Sequence, residues 1–279
     1  MNRLKKKRLD LLLHELYPDL SRSRLQAEIM AGRVYVNGLR SDKPGTLIDP
    51  ASEIRINEPE NPYVSRGGLK LEGALKNFSA DVTGLTILDV GASTGGFTDC
   101  LLQKGAKKVY ALDVGYGQLD LKLRRDSRVV VMERFNVRNL KPEDLPLIPD
   151  IAVIDVSFIS LSIVIPVLKE FKIPRIIALV KPQFEVGRAD ADKGGGVIRD
   201  PALHVKVLEK SIYEAAENNY FCAGVTYSPK PGPRGNLEYF IYLQAKGSTN
   251  VTNLADCKKL IEEVVENAHL NLSAAKKSE

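Results

Sequence analysis

The chain is poor in residues that hold metals, close disulfides or serve as histidine bases. Its 279 residues include three cysteines, three histidines and no tryptophan. Cys100, Cys222 and Cys257 lie far apart and form no C-x-x-C pair. An odd, scattered set argues against a disulfide framework or a zinc site, so reduced thiols and no metal are expected. Long apolar runs are also missing. The cleanest, "DIAVIDV" and "RIIALV", are strand-sized, well short of the roughly 20 residues that a spanning helix needs. The N-terminus is basic and then apolar, like a secretion signal. However, Asp10, His14 and Glu15 interrupt the apolar part, and no small-residue cleavage site follows. These absences lead to the expectation of a cytoplasmic protein with no membrane partner.

Neither sign of charge dominates. Lys and Arg total 40 against 35 Asp and Glu, a net charge of +5. The distribution says more than the sum. Arg3, Lys5, Lys6, Lys7 and Arg8 open the chain, and Arg22, Arg24, Arg33, Arg40 and Lys43 follow. A local basic surface binds phosphates even on a mildly basic protein, and a solvated basic arm is the alternative.

Residues 1–57 read as a small α+β unit. "RLDLLLHELYP" is a short amphipathic helix stopped by Pro18, and Ser21 can cap a second, "RSRLQAEIMA", which ends at Gly32. "RVYVNG" is a strand entering an Asn37-Gly38 turn, and "SEIRIN" is another strand. The charged, proline-bearing stretch 58–63 reads as a linker. From 64 to 248 strands and helices alternate. The strands are "TILDVG", "KVYALDV", "RVVVME", "DIAVIDV", "RIIALVK", "FCAGVTYS" and "EYFIYLQA". The first five are apolar on both faces, as in a parallel sheet covered by helices. A proline- and glycine-rich loop joins the last two. It is too short for a parallel crossover, so they should pair antiparallel. The expected fold class is α/β, a Rossmann-like, seven-stranded, mostly parallel sheet preceded by the small α+β domain. Residues 249–279 add a polar spacer and one amphipathic helix.

"TILDVGASTGGFTDCLL" (86–102) admits two chemistries. Gly91 to Gly95 spell G-x-S-x-G, the nucleophile elbow of serine hydrolases. The stretch is also a strand, glycine corner and helix of the kind that holds a nucleotide-like cofactor. The shortage of histidine weighs against the hydrolase. His14 precedes the serine, His204 falls in a helical run and His269 in the tail helix. None follows a late strand in a loop, where that fold places its base. The cofactor reading gains Asp113, which ends the next strand about twenty residues on and can accept from both ribose hydroxyls. Capping the following helix is its other reading. Gly91, Gly95 and Gly96 allow close approach of the backbone. Ser93 stands where a dinucleotide fingerprint needs glycine, which disfavours pyrophosphate. A cofactor without phosphate, such as S-adenosylmethionine, fits better. Asp89 can serve its amino-acid portion. Asn136, after the third strand, can meet its adenine or cap a helix.

"DVGASTGGFTD", with Phe97, resembles motif one of the FtsJ-like (RrmJ-like) RNA 2′-O-methyltransferases. Further landmarks follow in that family's order: "SRGGLKLEGAL", "AVIDVSFISL", "ALVKPQFEVG" and "GPRGNLEYF". The resemblance implies a class I SAM methyltransferase fold and a catalytic set of Lys70, Asp155, Lys181 and Glu238, with Asp155 also near the cofactor. The N-terminal "RLDLLL", "SRSRLQAEIMAGRVYVNG" and "KPG" resemble the S-four-type RNA-binding domain. That implies RNA contacts from Arg3, Lys5, Lys6, Lys7, Arg8, Arg22, Arg24, Arg33 and Lys43, with Arg66 a further candidate. The combination resembles the TlyA family, also known as hemolysin A, over nearly the whole chain. It implies S-adenosylmethionine as cofactor, rRNA or ribosomal subunits as partner, and a cytidine ribose as target. The absence of tryptophan leaves no linker role to carry over.

The residues agree with that chemistry. Asp155 and Lys181 end the fourth and fifth strands, Lys70 lies on the preceding helix, and Glu238 starts the last strand. Ligands of open parallel sheets bind outside the carboxyl ends of the strands. A structural ion-pair network is the plain alternative. A nearby lysine lowers the pKa of a ribose hydroxyl or takes its proton. Lys181 is expected to be central, with Asp155 and Glu238 orienting it and Lys70 holding the hydroxyl or a phosphate. The stretch 186–200 is a lid or a plain loop, and Lys230 and Arg234 border the cleft. Phe184 stacks on a base or packs in the core. The rival functions are a non-catalytic ribosome-assembly factor, a small-molecule methyltransferase, which leaves the basic N-terminus unexplained, and a membrane-active hemolysin, which lacks a spanning segment.

Overall fold

The computed structural model describes residues 5–57, 61–186, 195–247 and 254–275, except for the side chains of 254, 255 and 272–275. Arg3, positions 58–60 of the linker and positions 187–194 of the glycine-rich stretch lie outside the described residues. The chain divides into two units, Met1–Pro62 and Tyr63–Glu279.

In the smaller unit β1 (Lys7–Arg8) leads into α1 (Leu9–Leu16), and α2 (Arg22–Met30) follows. Leu9 and Leu13, like Leu25 and Ile29, are four apart, so each helix presents one apolar stripe. The stripes bury against each other and Val34. Ser21 caps α2, its Oγ accepting from Arg24 N at 3.3 Å. Next come β2 (Val34–Val36), β3 (Leu39–Ser41), β4 (Leu47–Ile48) and β5 (Ile54–Ile56). The three-stranded antiparallel sheet has the order β3-β2-β5. Asn37 (φ 49°) and Gly38 (φ 78°) both have positive φ, as a two-residue type I′ hairpin requires. The basic arm is partly a strand, because Lys7–Arg8 pairs with β4. Two residues carry no alternation for a sequence reading to find.

The larger unit runs α3 (Gly67–Asn77), β6 (Thr86–Val90), α4 (Gly96–Gln103), β7 (Lys108–Leu112), α5 (Leu121–Arg124), β8 (Val129–Met132), β9 (Ile151–Ile154) and α6 (Leu161–Glu170). It continues with β10 (Arg175–Val180), α7 (Pro182–Glu185), α8 (Pro201–Glu217), β11 (Tyr220–Tyr227), β12 (Tyr239–Ala245) and α9 (Leu254–Ala275). Alternate residues of a strand face opposite layers. Leu88, Ala152, Ile154 and Ala178 pack with α6, α8 and α9. Ile87, Ile151, Val153 and Ile177 pack with α3 and α4. Both faces are covered, which is why these strands read as unbroken apolar runs.

The sheet order is β11-β12-β10-β9-β6-β7-β8. The middle pairs are parallel, and β12 is antiparallel to both neighbours. β7 and β8 step to one side of β6, and β9 and β10 to the other. The crevice at this reversal is where open sheets bind ligands. The final hairpin matches the sequence expectation, but its second strand inserts between β10 and β11. Register then builds the site. Val180 pairs with Tyr239, so Lys181 leaving β10 and Glu238 entering β12 emerge side by side. Val90 pairs with Ile154, which sets Gly91 beside Asp155. Glu238 falls one residue ahead of the strand expected to begin with it. Beyond Val180 the neighbouring strand has turned at Pro182 into α7, so no ladder partner remains there.

Candidate active site

A cleft of about 460 Å³ lies over these strand ends. Its walls are α3, the glycine corner, the loop after β9, α7 and the turn before β12. All four residues of the expected catalytic set line it, as do Arg66, Gly91, Ser93, Gly96 and Phe97. They form two lysine–carboxylate pairs. Lys181 Nζ sits 2.6 Å from Asp155 Oδ1 and donates to Ser157 Oγ at 3.1 Å. Lys70 Nζ sits 2.5 Å from Glu238 Oε2. Glu238 therefore serves Lys70, whereas the sequence reading has it orienting Lys181. Its other oxygen lies 3.5 Å from Gln183 Nε2. Glu238 is fully buried, and the turn wraps it so closely that a Cβ on Gly232 would fall 2.0 Å from its Oε1.

Asp89, Gly95, Asp113 and Asn136 are not among the cleft-lining residues. Asp89 is wholly buried beneath the glycine corner. Thr98 Oγ1 donates to its Oδ2 at 2.6 Å, and its Oδ1 has no hydrogen-bond partner among the described residues. Burial, reinforced by the charges of Asp155 and Asp113, pushes its carboxyl up to about 7. Asp113 ties the corner together by accepting from Ser93 N at 2.8 Å and Gly115 N at 2.6 Å. Gly91 (φ 90°) leaves no room for a side chain, since a Cβ would meet Asp155 O at 2.4 Å. Its smallness serves this close strand packing as well as any ligand. Asn136 accepts from Arg138 N at 3.0 Å and caps a short 3₁₀ turn, the second of its two expected roles.

The sequence reading names Phe184 and misses Phe158 and Ser157. Phe158 is 90% exposed and lines the cleft, with its ring 4.8 Å from that of Phe184. Lys181 Nζ lies 5.8 Å from the Phe184 ring centre. The signal available in the sequence is an aromatic three residues after Asp155 in a polar turn.

In the smaller unit most of the expected RNA-contacting arginines are held by buried carboxylates. Asp10 accepts from Arg8 Nε at 3.0 Å, Arg22 Nη2 at 2.8 Å and Gln26 Nε2 at 2.7 Å. The Arg8 bond, against the cost of burial, holds its carboxyl far below the ordinary range. Glu28 pairs with Arg24 and Arg33. Both carboxylates are buried while Arg8 and Arg22 stay about half exposed. Lys7 pairs with Glu15, and Lys5, Lys6 and Lys43 are exposed. The arginines are thus held in place by these carboxylates.

A doubly covered sheet, a glycine corner at its switch point and paired lysines over its carboxyl ends define a Rossmann-like methyltransferase. Comparison with known families makes the assignment specific. Residues 63–245 match the FtsJ-like methyltransferase family and residues 7–54 match the S4 domain. The chain belongs to the FtsJ-like methyltransferase family and carries an N-terminal S4 domain. It is 47% identical to the provisionally named rRNA methyltransferase YqxC of Bacillus subtilis, over 98% of this chain and 97% of that one. It is 44% identical to TlyA of Mycobacterium tuberculosis, a 16S/23S rRNA (cytidine-2′-O)-methyltransferase, over 89% of this chain and 92% of that one. A solved Streptococcus thermophilus protein with a provisional hemolysin name is 41% identical, with a TM-score of 0.74, covering 98% of this chain and 99% of that one. No helix among the described residues is long and apolar enough to cross a membrane.

Proposed function

We propose that the protein methylates the 2′-hydroxyl of a cytidine ribose in ribosomal RNA in the cytoplasm, using S-adenosylmethionine. The observation that carries this reading is the convergence of two lysine–carboxylate pairs, Lys181–Asp155 and Lys70–Glu238, on one cleft at the switch point. The cofactor supplies a methyl group on a sulfonium. The residues suit it. Asp89 keeps a buried oxygen without a partner, and the oxygens of Asp113, each taking one backbone N–H, retain capacity for ribose hydroxyls. Ser93 in place of glycine fits a cofactor with no pyrophosphate.

A ribose hydroxyl gives up its proton, to water in the open cleft, as its oxygen takes the methyl group. An ammonium has three N–H donors; Lys181 gives one to Ser157 and sits in an ion pair with Asp155. A remaining N–H is free to point at the hydroxyl oxygen and lower its pKa. Lys70, neutralised by Glu238, offers its remaining donors to the ribose or a neighbouring phosphate. Phe158 and Phe184 present an aromatic face to the base. The S4 domain (1–57), with its preset arginines, grips structured RNA through phosphates, and the methyltransferase domain (64–248) does the chemistry.

The test is methyl transfer from labelled S-adenosylmethionine to separated ribosomal subunits lacking the modification, with a folded Lys181→Ala variant alongside. Label resistant to alkaline cleavage at one ribose, and lost in the variant, is the expected result. Tight RNA binding with no label on either subunit overturns the reading in favour of an assembly factor. Undiminished transfer by Lys181→Ala overturns the catalytic assignment.

A further inference from the structure

Glu185 is a carboxylate beside the cleft that this chemistry does not use. It ends α7, directly after Phe184. Its Oε2 accepts from Ser160 Oγ at 2.6 Å and its Oε1 from Leu161 N at 3.0 Å. Ser160 caps α6 and Leu161 opens it, so the carboxylate closes the amino end of that helix, where an anion is favoured. Ser160 also ends the loop that begins at Asp155. That loop and the segment from Lys181 to Glu185 are therefore fastened twice. Inside the cleft Lys181 holds Asp155 and Ser157. At the other end Glu185 holds Ser160 and Leu161. Phe158 and Phe184 stand between the two fastenings. Phe158 has a φ of 63°, a backbone conformation that a bulky residue keeps only when its surroundings impose it.

We infer that Glu185 is a positioning residue for methyl transfer. By tying the loop after β9 to α7, it holds the Asp155–Lys181 pair and the Phe158–Phe184 step at the spacing the target nucleoside requires. The inference rests on the proposed RNA reading and extends it to a residue that touches neither RNA nor cofactor. Burial raises the carboxyl above the ordinary carboxylate range, opposed first by the Ser160 bond and then by the Leu161 bond. Lys210 and Glu214 of α8 are the charged groups acting on it, the first favouring the carboxylate and the second the acid. Protonation weakens its acceptance from both donors, so activity falls on the acid side partly through Glu185.

The experiment compares full-length wild type, Glu185→Ala, Glu185→Gln, Ser160→Ala and the Ser160→Ala/Glu185→Ala double. It measures kcat and KM on the ribosomal subunit across the acid-to-neutral range, and S-adenosylmethionine Kd by calorimetry. Glu185→Ala should lower kcat by roughly ten- to a hundredfold, as misaligned reactants do, while cofactor Kd moves less than about twofold. Glu185→Gln keeps an oxygen for Leu161 N and an amide for Ser160. It should recover to within about threefold of wild type and flatten the acid limb. The double variant should be no slower than Glu185→Ala, because the Ser160–Glu185 bond is already gone in that single, while the lost α6 cap lowers Tm instead. An unchanged kcat in Glu185→Ala, a cofactor Kd that weakens in step with activity, or a Gln variant as slow as Ala overturns the inference. If Glu185→Ala does not fold, Ser160→Ala, which keeps only the Leu161 bond, decides it: kcat should fall, and an unchanged kcat overturns the inference. An inactive wild type refutes the functional reading itself, so the two failures are distinct.

Discussion

Removing Lys70 strands a buried charge. Glu238 is fully buried and Lys70 meets its carboxylate at 2.5 Å. Deleting one partner of a buried ion pair costs about 3–5 kcal/mol, because the other charge is left unpaired. The Lys70 side chain is 11% exposed, which favours the lower end, about 3 kcal/mol. In a unit of this size each kcal/mol moves Tm by about 2–4 °C. Lys70→Ala should therefore melt about 6–12 °C below wild type. The Lys70→Ala/Glu238→Gln double carries no stranded anion and should regain about 2 kcal/mol of that loss. Calorimetric melting and methyl transfer are measured on the same preparations at neutral pH. Stability should return in the double while activity stays absent, because the ammonium is still missing. A purely structural ion pair predicts that activity returns with stability, so this split separates the two roles. If the single and double variants melt together within about 1 °C, Glu238 does not depend on Lys70 and the reasoning fails.

Two buried titrating groups should tilt stability in opposite directions. Asp89 stays protonated up to about pH 7 when folded, against 3.8 for an ordinary aspartate. Its contribution is fully present below 3.8 and declines as pH rises toward 7. Asp89→Asn should therefore gain on wild type between pH 5 and pH 8 in urea unfolding, by about 3 kcal/mol at most, and an unchanged gap would refute this. Burial, then the neighbouring His269, lowers His204 to about 4 from 6.5. Its contribution is present above 6.5 and declines as pH falls toward 4. His204→Gln should remove that acid-side loss, and a variant with the same acid profile as wild type would disprove it. Phe158→Ala should slow methyl transfer about 5- to 150-fold, the worth of one base stacked on an aromatic ring. Its Tm should match wild type, because Phe158 is 90% exposed; normal turnover would remove it from the site.

Local features were the legible ones. The five apolar runs announce a covered parallel sheet, and the glycine corner, Asp155 and Lys181 fall at strand ends that those runs already mark. Partnership was not legible. The sequence reading gives Lys181 both Asp155 and Glu238, yet Glu238 meets Lys70, 168 residues away in the chain. No one-dimensional pattern decides which of two lysines a glutamate meets. The folded chain decides it: the Val180–Tyr239 register brings Glu238 level with Lys181, yet its buried carboxylate pairs with Lys70 on α3. Phe158 escaped for a related reason, since an exposed ring in a turn leaves no periodic trace. The partnership has an electrostatic consequence. Each lysine is neutralised by its own carboxylate, so the four charges sum to zero in two separate pairs. RNA can bring its phosphates to such a cleft without meeting a bare cluster of carboxylates. A glutamate shared with Lys181 would have left Lys70 unbalanced on a helix almost closed to water. The proposed catalytic residues belong to motifs, but their charge balance belongs to the fold.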